Sequence, residues 1–256
     1  MDWINFPAFA GITFISWLSG VSLVNFSARK KSLETTGTVL VIAGIAVLTL
    51  FVVMLWINLE RPPLRTLGPF VGVITYYRWR YKWFLGYALA LASLFLMINY
   101  LNPETYSKTL MPALQSPWFV PHVIVYIFSY ALLAASSLVA VKGLYQLYSR
   151  ELNLKVLRLA DNLVYVGFSF LTLGLLFGAL WAKEAWGHYW TWDPKETWAF
   201  LTWLCYLGYL HFRHFQPRKV KAPLWALSVA FIVLLICWFG INYLPSAANS
   251  VHVYGD

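Results

Sequence analysis

The run from Thr38 to Leu59 contains no charged residue. As a helix rising about 1.5 Å per residue, it is long enough to cross a hydrocarbon layer of roughly 30 Å. Similar apolar runs lie at Phe6–Phe26, Phe84–Leu101, His122–Tyr148, Leu163–Trp181, Trp198–His211 and Pro223–Tyr243. Segments of this kind have to be helical in lipid, because every backbone N–H and C=O must find its partner within the segment. The chain is 60% hydrophobic and only 11% charged, about half the charged share of a soluble domain. The expectation is an all-α, polytopic helical membrane protein forming a single integral membrane domain over residues 1–256. No soluble domain, low-complexity linker or internal repeat interrupts it. The opening Met-Asp-Trp-Ile-Asn lacks the basic start of a cleaved signal peptide, so the first run is expected to be a retained helix.

A net charge of +9 in a soluble protein would point to nucleic acid. In a membrane chain it points instead to cytoplasmic loops, where Lys and Arg gather. The bilayer is therefore the expected partner and nucleic acid is not. The stretches Lys142–Arg158 and Arg213–Lys221 are basic, whereas the Trp-rich loop and the C-terminal tail carry only Lys183 and Lys195. Loop and tail are thus expected outside the cytoplasm. Leu64–Tyr77 holds Pro69 and two glycines and is short for a crossing. If it crosses there are eight helices, and if it is re-entrant there are seven. Eight crossings place the Arg29-Lys30-Lys31 cluster on the favoured side, so about eight transmembrane helices are expected.

Four tryptophans crowd into Trp186-Gly-His-Tyr-Trp190-Thr-Trp192-Asp193-Pro-Lys-Glu-Thr-Trp198. Trp prefers the membrane–water boundary, and the cluster is expected to form a flat aromatic shelf for a planar ligand. Gly187 supplies a turn within it. Asp193, Pro194 and Glu196 fit the N-cap, N1 and N3 positions of a capping box for the next helix. Lys195 has the reach to meet a ligand carboxylate, although an exposed lysine at a helix start needs no ligand to explain it.

Five histidines are present, at 122, 188, 211, 214 and 252. Neutral imidazole is a good iron ligand and histidine pairs commonly hold haem. His122, His188 and His252 fall on separate outer segments near the tryptophans. Any one alone fits an ordinary interfacial histidine; two from different loops fit axial ligation of a plane from both sides. His211 lies about 20 Å beyond Trp198 along its helix, in the inner half of the bilayer, where an ionisable group is a functional candidate. His214, beside Arg213, fits a snorkelling basic helix end. The two cysteines, Cys205 and Cys237, sit in apolar runs without C-x-x-C spacing. They read as packing residues, with no dithiol chemistry, zinc site or covalent haem attachment.

The sequence Trp186-Gly187, Trp190, Trp192-Asp193, Pro194-Lys-Glu-Thr-Trp-Ala resembles the tryptophan-rich "WWD" signature of haem-handling cytochrome c assembly proteins, and within them the CcsA (ResC-type) branch. Pro112-Ala-Leu-Gln-Ser-Pro-Trp118, Tyr209-Leu-His211-Phe-Arg213 and His252-Val-Tyr-Gly255 extend the likeness. It covers residues 110–256 best; the N-terminal third matches mainly in hydropathy.

This resemblance implies that His122 and His252 are axial ligands of haem b at the outer shelf, with Trp186, Gly187, Trp190, Trp192 and Asp193 in the binding motif. It implies that His211 belongs to a second haem site within the membrane, completed by a histidine of a CcsB/ResB-type partner subunit. The implied protein is one subunit of a two-component holocytochrome c synthase. It moves haem outward and presents it to the C-x-x-C-H segment of apocytochrome c, with no catalytic acid or base of its own. The implied location is a bacterial inner membrane with the loop facing the periplasm, or a thylakoid membrane. Rival readings are a subunit that hands haem to a periplasmic chaperone, a b-type cytochrome linked to quinone, and a transporter of another amphipathic molecule.

Overall fold

The computed structural model describes residues 3–26, 31–59, 112–149 and 154–245, together with residues 86, 89, 90, 93, 96, 97, 100, 101, 250 and 252. The described residues are almost wholly helical and include no strand. Among the described residues six long helices run in chain order: α1 (Phe6–Phe26), α2 (Lys31–Leu59), α3 (Phe119–Ser149), α4 (Leu154–Trp186), α5 (Pro194–Phe215) and α6 (Lys221–Trp238). Five of them (α1, α2, α3, α4 and α6) are long and apolar enough to cross a membrane. α5 has the length, but its sequence mixes Trp, Tyr and His with Lys195, Glu196 and Arg213. Leu64–Tyr77, on which seven or eight crossings turns, lies outside the described residues.

The chain divides into two compact units, residues 1–109 and 110–256. In the first, α1 packs against α2 around Phe6, Trp17, Val24, Leu48, Phe51 and Leu55, all nearly inaccessible. Small residues allow the close approach: a Cβ on Gly20 would lie 2.6 Å from the carbonyl oxygen of Gly37, and one on Gly37 equally close to that of Gly20. Leu89 and Leu96, from the helical positions between 86 and 101, join this core.

In the second unit each helix packs against its sequence neighbour, and α6 returns to pack against α3, closing a four-helix ring. Short connections make neighbours antiparallel. Two ties show the pairing. The Ser129 hydroxyl on α3 donates to the Gly167 carbonyl on α4 at 2.8 Å. Nearer the start of α4, Asp161 accepts both Nε (2.9 Å) and Nη2 (2.8 Å) of Arg213 on α5, and the Tyr209 hydroxyl at 2.6 Å. Arg213 therefore ends in a bidentate ion pair rather than snorkelling. Two boundaries also differ from the apolar pattern. α3 begins at Phe119, so Pro121 sits in its first turn, where no intrahelical N–H is needed. α4 begins at Leu154, about two turns before the apolar run, because Asp161 is paired within the protein and its charge does not end the helix.

Candidate functional site

The start of α3, the end of α4, the start of α5 and the tail after α6 meet at one end of the second unit. The short helix Pro112–Gln115 is fixed there by Trp181, whose Nε1–H donates to the Ala113 carbonyl at 2.6 Å. Ser116 follows, donating to Glu184 at 2.6 Å and accepting from the Trp118 amide at 3.2 Å. These bonds set where α3 begins, and hence where His122 stands.

His122 is seated by two glycines of α4 spaced four apart. Its Nδ1 lies 2.9 Å from the Gly174 carbonyl. A carbonyl only accepts, so Nδ1 carries the proton and Nε2 keeps its lone pair. A Cβ on Gly178 would fall 2.8 Å from the imidazole Cε1 and 2.9 Å from Nδ1; only glycine leaves the ring its place. Tyr126 meets the ring edge-on at 4.6 Å between centroids.

His252 is held by the motif aspartate. Asp193 Oδ2 accepts the Lys195 amide at 3.0 Å as the N-cap of α5, the Ser250 hydroxyl at 2.9 Å and His252 Nδ1 at 3.0 Å. Glu196 completes the capping box: its Oε2 accepts the Asp193 amide at 3.1 Å and the Thr191 amide at 2.8 Å. The Lys195 ammonium donates to the His252 carbonyl at 3.2 Å. Asp193 thus caps the helix and ties down the tail. Burial holds the His252 imidazole below its ordinary pKa, and the Asp193 carboxylate only partly offsets this. The ring is neutral near pH 7, with Nδ1–H donated to Asp193 and the lone pair on Nε2.

Trp181, 4% exposed, stands between the two histidines. Its ring centroid is 5.3 Å from that of His122 and 5.6 Å from that of His252, so the two imidazole centroids are less than about 11 Å apart. Trp186 packs on His252 at 4.6 Å and on Trp181 at 4.9 Å. His122, His252, Trp181 and Trp190 line one cavity of about 250 Å³, together with Tyr126, Tyr130, Lys195, Glu196, Cys237 and Trp238.

The tryptophans do not form the expected flat shelf. Trp181 and Trp186 are inclined at 59°, and Trp190 and Trp192 at 87°. Aromatic quadrupoles favour such edge-to-face contacts over coplanar ones. Gly187, at φ 85°, is the left-handed end of α4, its amide donating to Lys183 O at 3.0 Å. Among the described residues Trp192 is the other one with a left-handed backbone, at φ 60°. It is 64% exposed and packs against Phe200, outside the residues that line the cavity. Its strained backbone is held by Thr197, whose hydroxyl donates to Trp192 O at 3.2 Å.

His211 stands apart, about 24 Å along α5 from Lys195. Its Nδ1 donates to Leu207 O at 3.0 Å, leaving Nε2 on an exposed face of the helix. His188 and His214 are exposed and line no part of the cavity.

A sequence model of the family described as Cytochrome C assembly protein matches residues 6–248. The chain belongs to that family. Among its curated relatives are proteins named Cytochrome c biogenesis protein CcsA. That of Chlamydomonas reinhardtii is 42% identical over 158 residues, covering 58% of this chain and 44% of its own length. That of Prochlorococcus marinus strain AS9601 is 38% identical over 180 residues (58% and 57%), and that of Chlorella vulgaris 38% over 191 residues (58% and 59%). The chain thus spans about half the length of these relatives. The family match takes in His122, the Trp-rich loop and His211, and ends just before His252.

Three features of this cytochrome c assembly protein were not singled out from sequence. In the sequence Trp181 only ends an apolar run, yet it is the centre of the site. Gly174 and Gly178 seat His122, and their four-residue spacing within an apolar helix is the available signal. Tyr126 and Tyr130, one helical turn apart on α3, line the cavity, but among so many aromatics nothing marked them out.

Proposed function

We propose that this cytochrome c assembly protein takes haem b as its substrate at the cavity beside His122 and His252. It presents the haem on the extracytoplasmic side for covalent attachment to the C-x-x-C-H segment of apocytochrome c. The observation that carries this reading is the convergence of two imidazoles from distant segments on one tryptophan, each oriented by an oxygen at its Nδ1. That is the donor set and outer-shell pattern that suits iron. The aromatic walls suit a porphyrin, and the cytochrome's own thiols supply the sulfur chemistry, so a positioning role is sufficient here.

A cavity of about 250 Å³ lies below the roughly 300–1,000 Å³ typical of small-ligand sites, and a porphyrin needs more. Loading therefore requires the His252 tail, which is tied to Asp193 and Lys195 by hydrogen bonds, to move aside and close again. His211, with Nε2 on an exposed face, fits a second haem site completed by a histidine from a CcsB/ResB-type partner. The setting is a bacterial inner membrane or a thylakoid membrane.

The test is haem content and absorbance of the protein purified with that partner, in wild type and in His122→Ala and His252→Ala variants. Loss of the outer-site spectrum in each supports the reading, and unchanged content and spectrum in both overturns it.

A further inference from the structure

We infer that Lys195 is the carboxylate anchor of this cavity. It takes a propionate of the porphyrin, giving up the His252 carbonyl it holds in its place. The inference rests on the haem reading above and adds to it the edge by which the ring is gripped.

Among the described residues lining the cavity, Lys195 is the only lysine or arginine. Two acids flank it on the same helix start, Asp193 and Glu196, with side chains 2% exposed for the first and a residue 9% exposed for the second. Both are committed inward: Asp193 Oδ2 to the Lys195 amide, Ser250 and His252, and Glu196 Oε2 to the Thr191 and Asp193 amides. Without Lys195 this end of the cavity would set the carboxylate of Glu196, which lines it, and that of Asp193 behind it against a ligand that itself carries two carboxylates. The ammonium is the positive charge that offsets them at this edge of the cavity.

The bond from Lys195 to the tail is easily exchanged. The contact to the His252 carbonyl is 3.2 Å long and made to a neutral acceptor. A carboxylate offers the same ammonium a shorter, charge-assisted bond, and the four-carbon stem lets Nζ swing. The helix cap does not depend on it, since Asp193 is bonded by the backbone N–H of Lys195 and not by its side chain. The carbonyl that Lys195 would release belongs to His252, the residue whose ring is proposed to grip iron. Anchor and ligand therefore meet at one point of the chain. In haem b the propionates and the vinyl groups occupy opposite edges of the ring. A propionate held at the start of α5 turns the vinyl edge away from it, which fixes which edge the incoming thiols can reach.

The experiment compares equilibrium binding of ferric protohaem and of its dimethyl ester, which has no carboxylate charge, to the full-length protein in detergent with its partner. Wild type, Lys195→Met and Lys195→Arg are each titrated with both porphyrins. Differences in micelle partitioning cancel because only the ratio for each protein is compared across variants. Wild type is expected to favour protohaem by about tenfold, Lys195→Arg to keep that preference, and Lys195→Met to lose or invert it. A Lys195→Met protein that keeps the wild-type ratio overturns the anchor and leaves the haem site standing. Failure of wild type to bind either porphyrin removes both.

Discussion

Nδ1 of His252 lies 3.0 Å from Oδ2 of Asp193, the same oxygen that caps α5. One carboxylate therefore starts the helix and fixes the ring of the tail histidine. The two roles separate by substitution. Asparagine caps a helix about as well as aspartate, so Asp193→Asn should unfold at close to the wild-type temperature. It weakens the acceptor behind the imidazole, and loss of such an outer-shell partner typically costs roughly 10–100-fold in metal affinity. Haem titration should show a loss in that range. Asp193→Ala should lose the affinity and also about 0.5–2 kcal/mol of stability from the missing cap. Wild-type haem affinity in Asp193→Asn would show that the aspartate acts only as a cap.

Gly178 gives a way to disturb His122 without removing it. The methyl group of Gly178→Ala would fall 2.8–2.9 Å from the imidazole, so ring or helix must shift, at a cost of about 1–3 kcal/mol for an overpacked site. Haem at the outer site should fall toward the level of His122→Ala although the histidine is still present. Gly208→Ala is the control, since its Cβ meets nothing within 4 Å. Normal haem in Gly178→Ala would mean the seat is looser than its geometry implies.

How far the sequence disclosed this arrangement differs from element to element. α1 coincides with its apolar run, Phe6–Phe26, because lipid-facing and core-facing residues alike must be apolar there. The capping box at Asp193–Glu196 was equally legible, since its residues satisfy one another locally. The expectation that His122 and His252 ligate haem rests on the family likeness, but their approach around Trp181 depends on packing between segments separated by more than a hundred residues. A flat indole shelf failed as an expectation because ring tilt is set by neighbouring quadrupoles and by the φ of Trp192, neither of which a count of tryptophans contains. The two turns of α4 before its apolar run were hidden because Asp161 reads as a loop charge until Arg213 is seen opposite it.

That ion pair makes its own prediction. Asp161 and Arg213 have side chains only 16% and 12% exposed, so removing one partner strands the other. Asp161→Asn should lower stability by about 1–3 kcal/mol, below the roughly 3–5 kcal/mol of fully buried pairs because some solvent reaches it. Tyr209→Phe, losing one hydrogen bond to the carboxylate, should cost about 1 kcal/mol. Thermal unfolding in detergent reads both. Haem affinity at the outer site should be unchanged, since the pair lies at the opposite end of α4 and α5. A stability change below 0.5 kcal/mol for Asp161→Asn would show that the pair is fully screened.

The tail should come off its site on acidification. The docked His252 imidazole titrates below the ordinary value of about 6.5 because burial disfavours its charged form more than Asp193 supports it. A released tail titrates near the ordinary value and binds protons more readily than the docked one between the two. Docking is therefore at full strength above about pH 6.5 and weakens as pH falls from there toward the lower, docked value. The histidine resonances of isotopically labelled protein, assigned with His252→Ala, should show a midpoint for residue 252 below 6.5. Asp193→Asn removes a carboxylate that raises this pKa, so the docked midpoint should move further down, not up. A His252 midpoint at or above 6.5 in the wild type would mean that the charge of Asp193 outweighs burial, and the acid release would then be replaced by tighter docking as the pH falls.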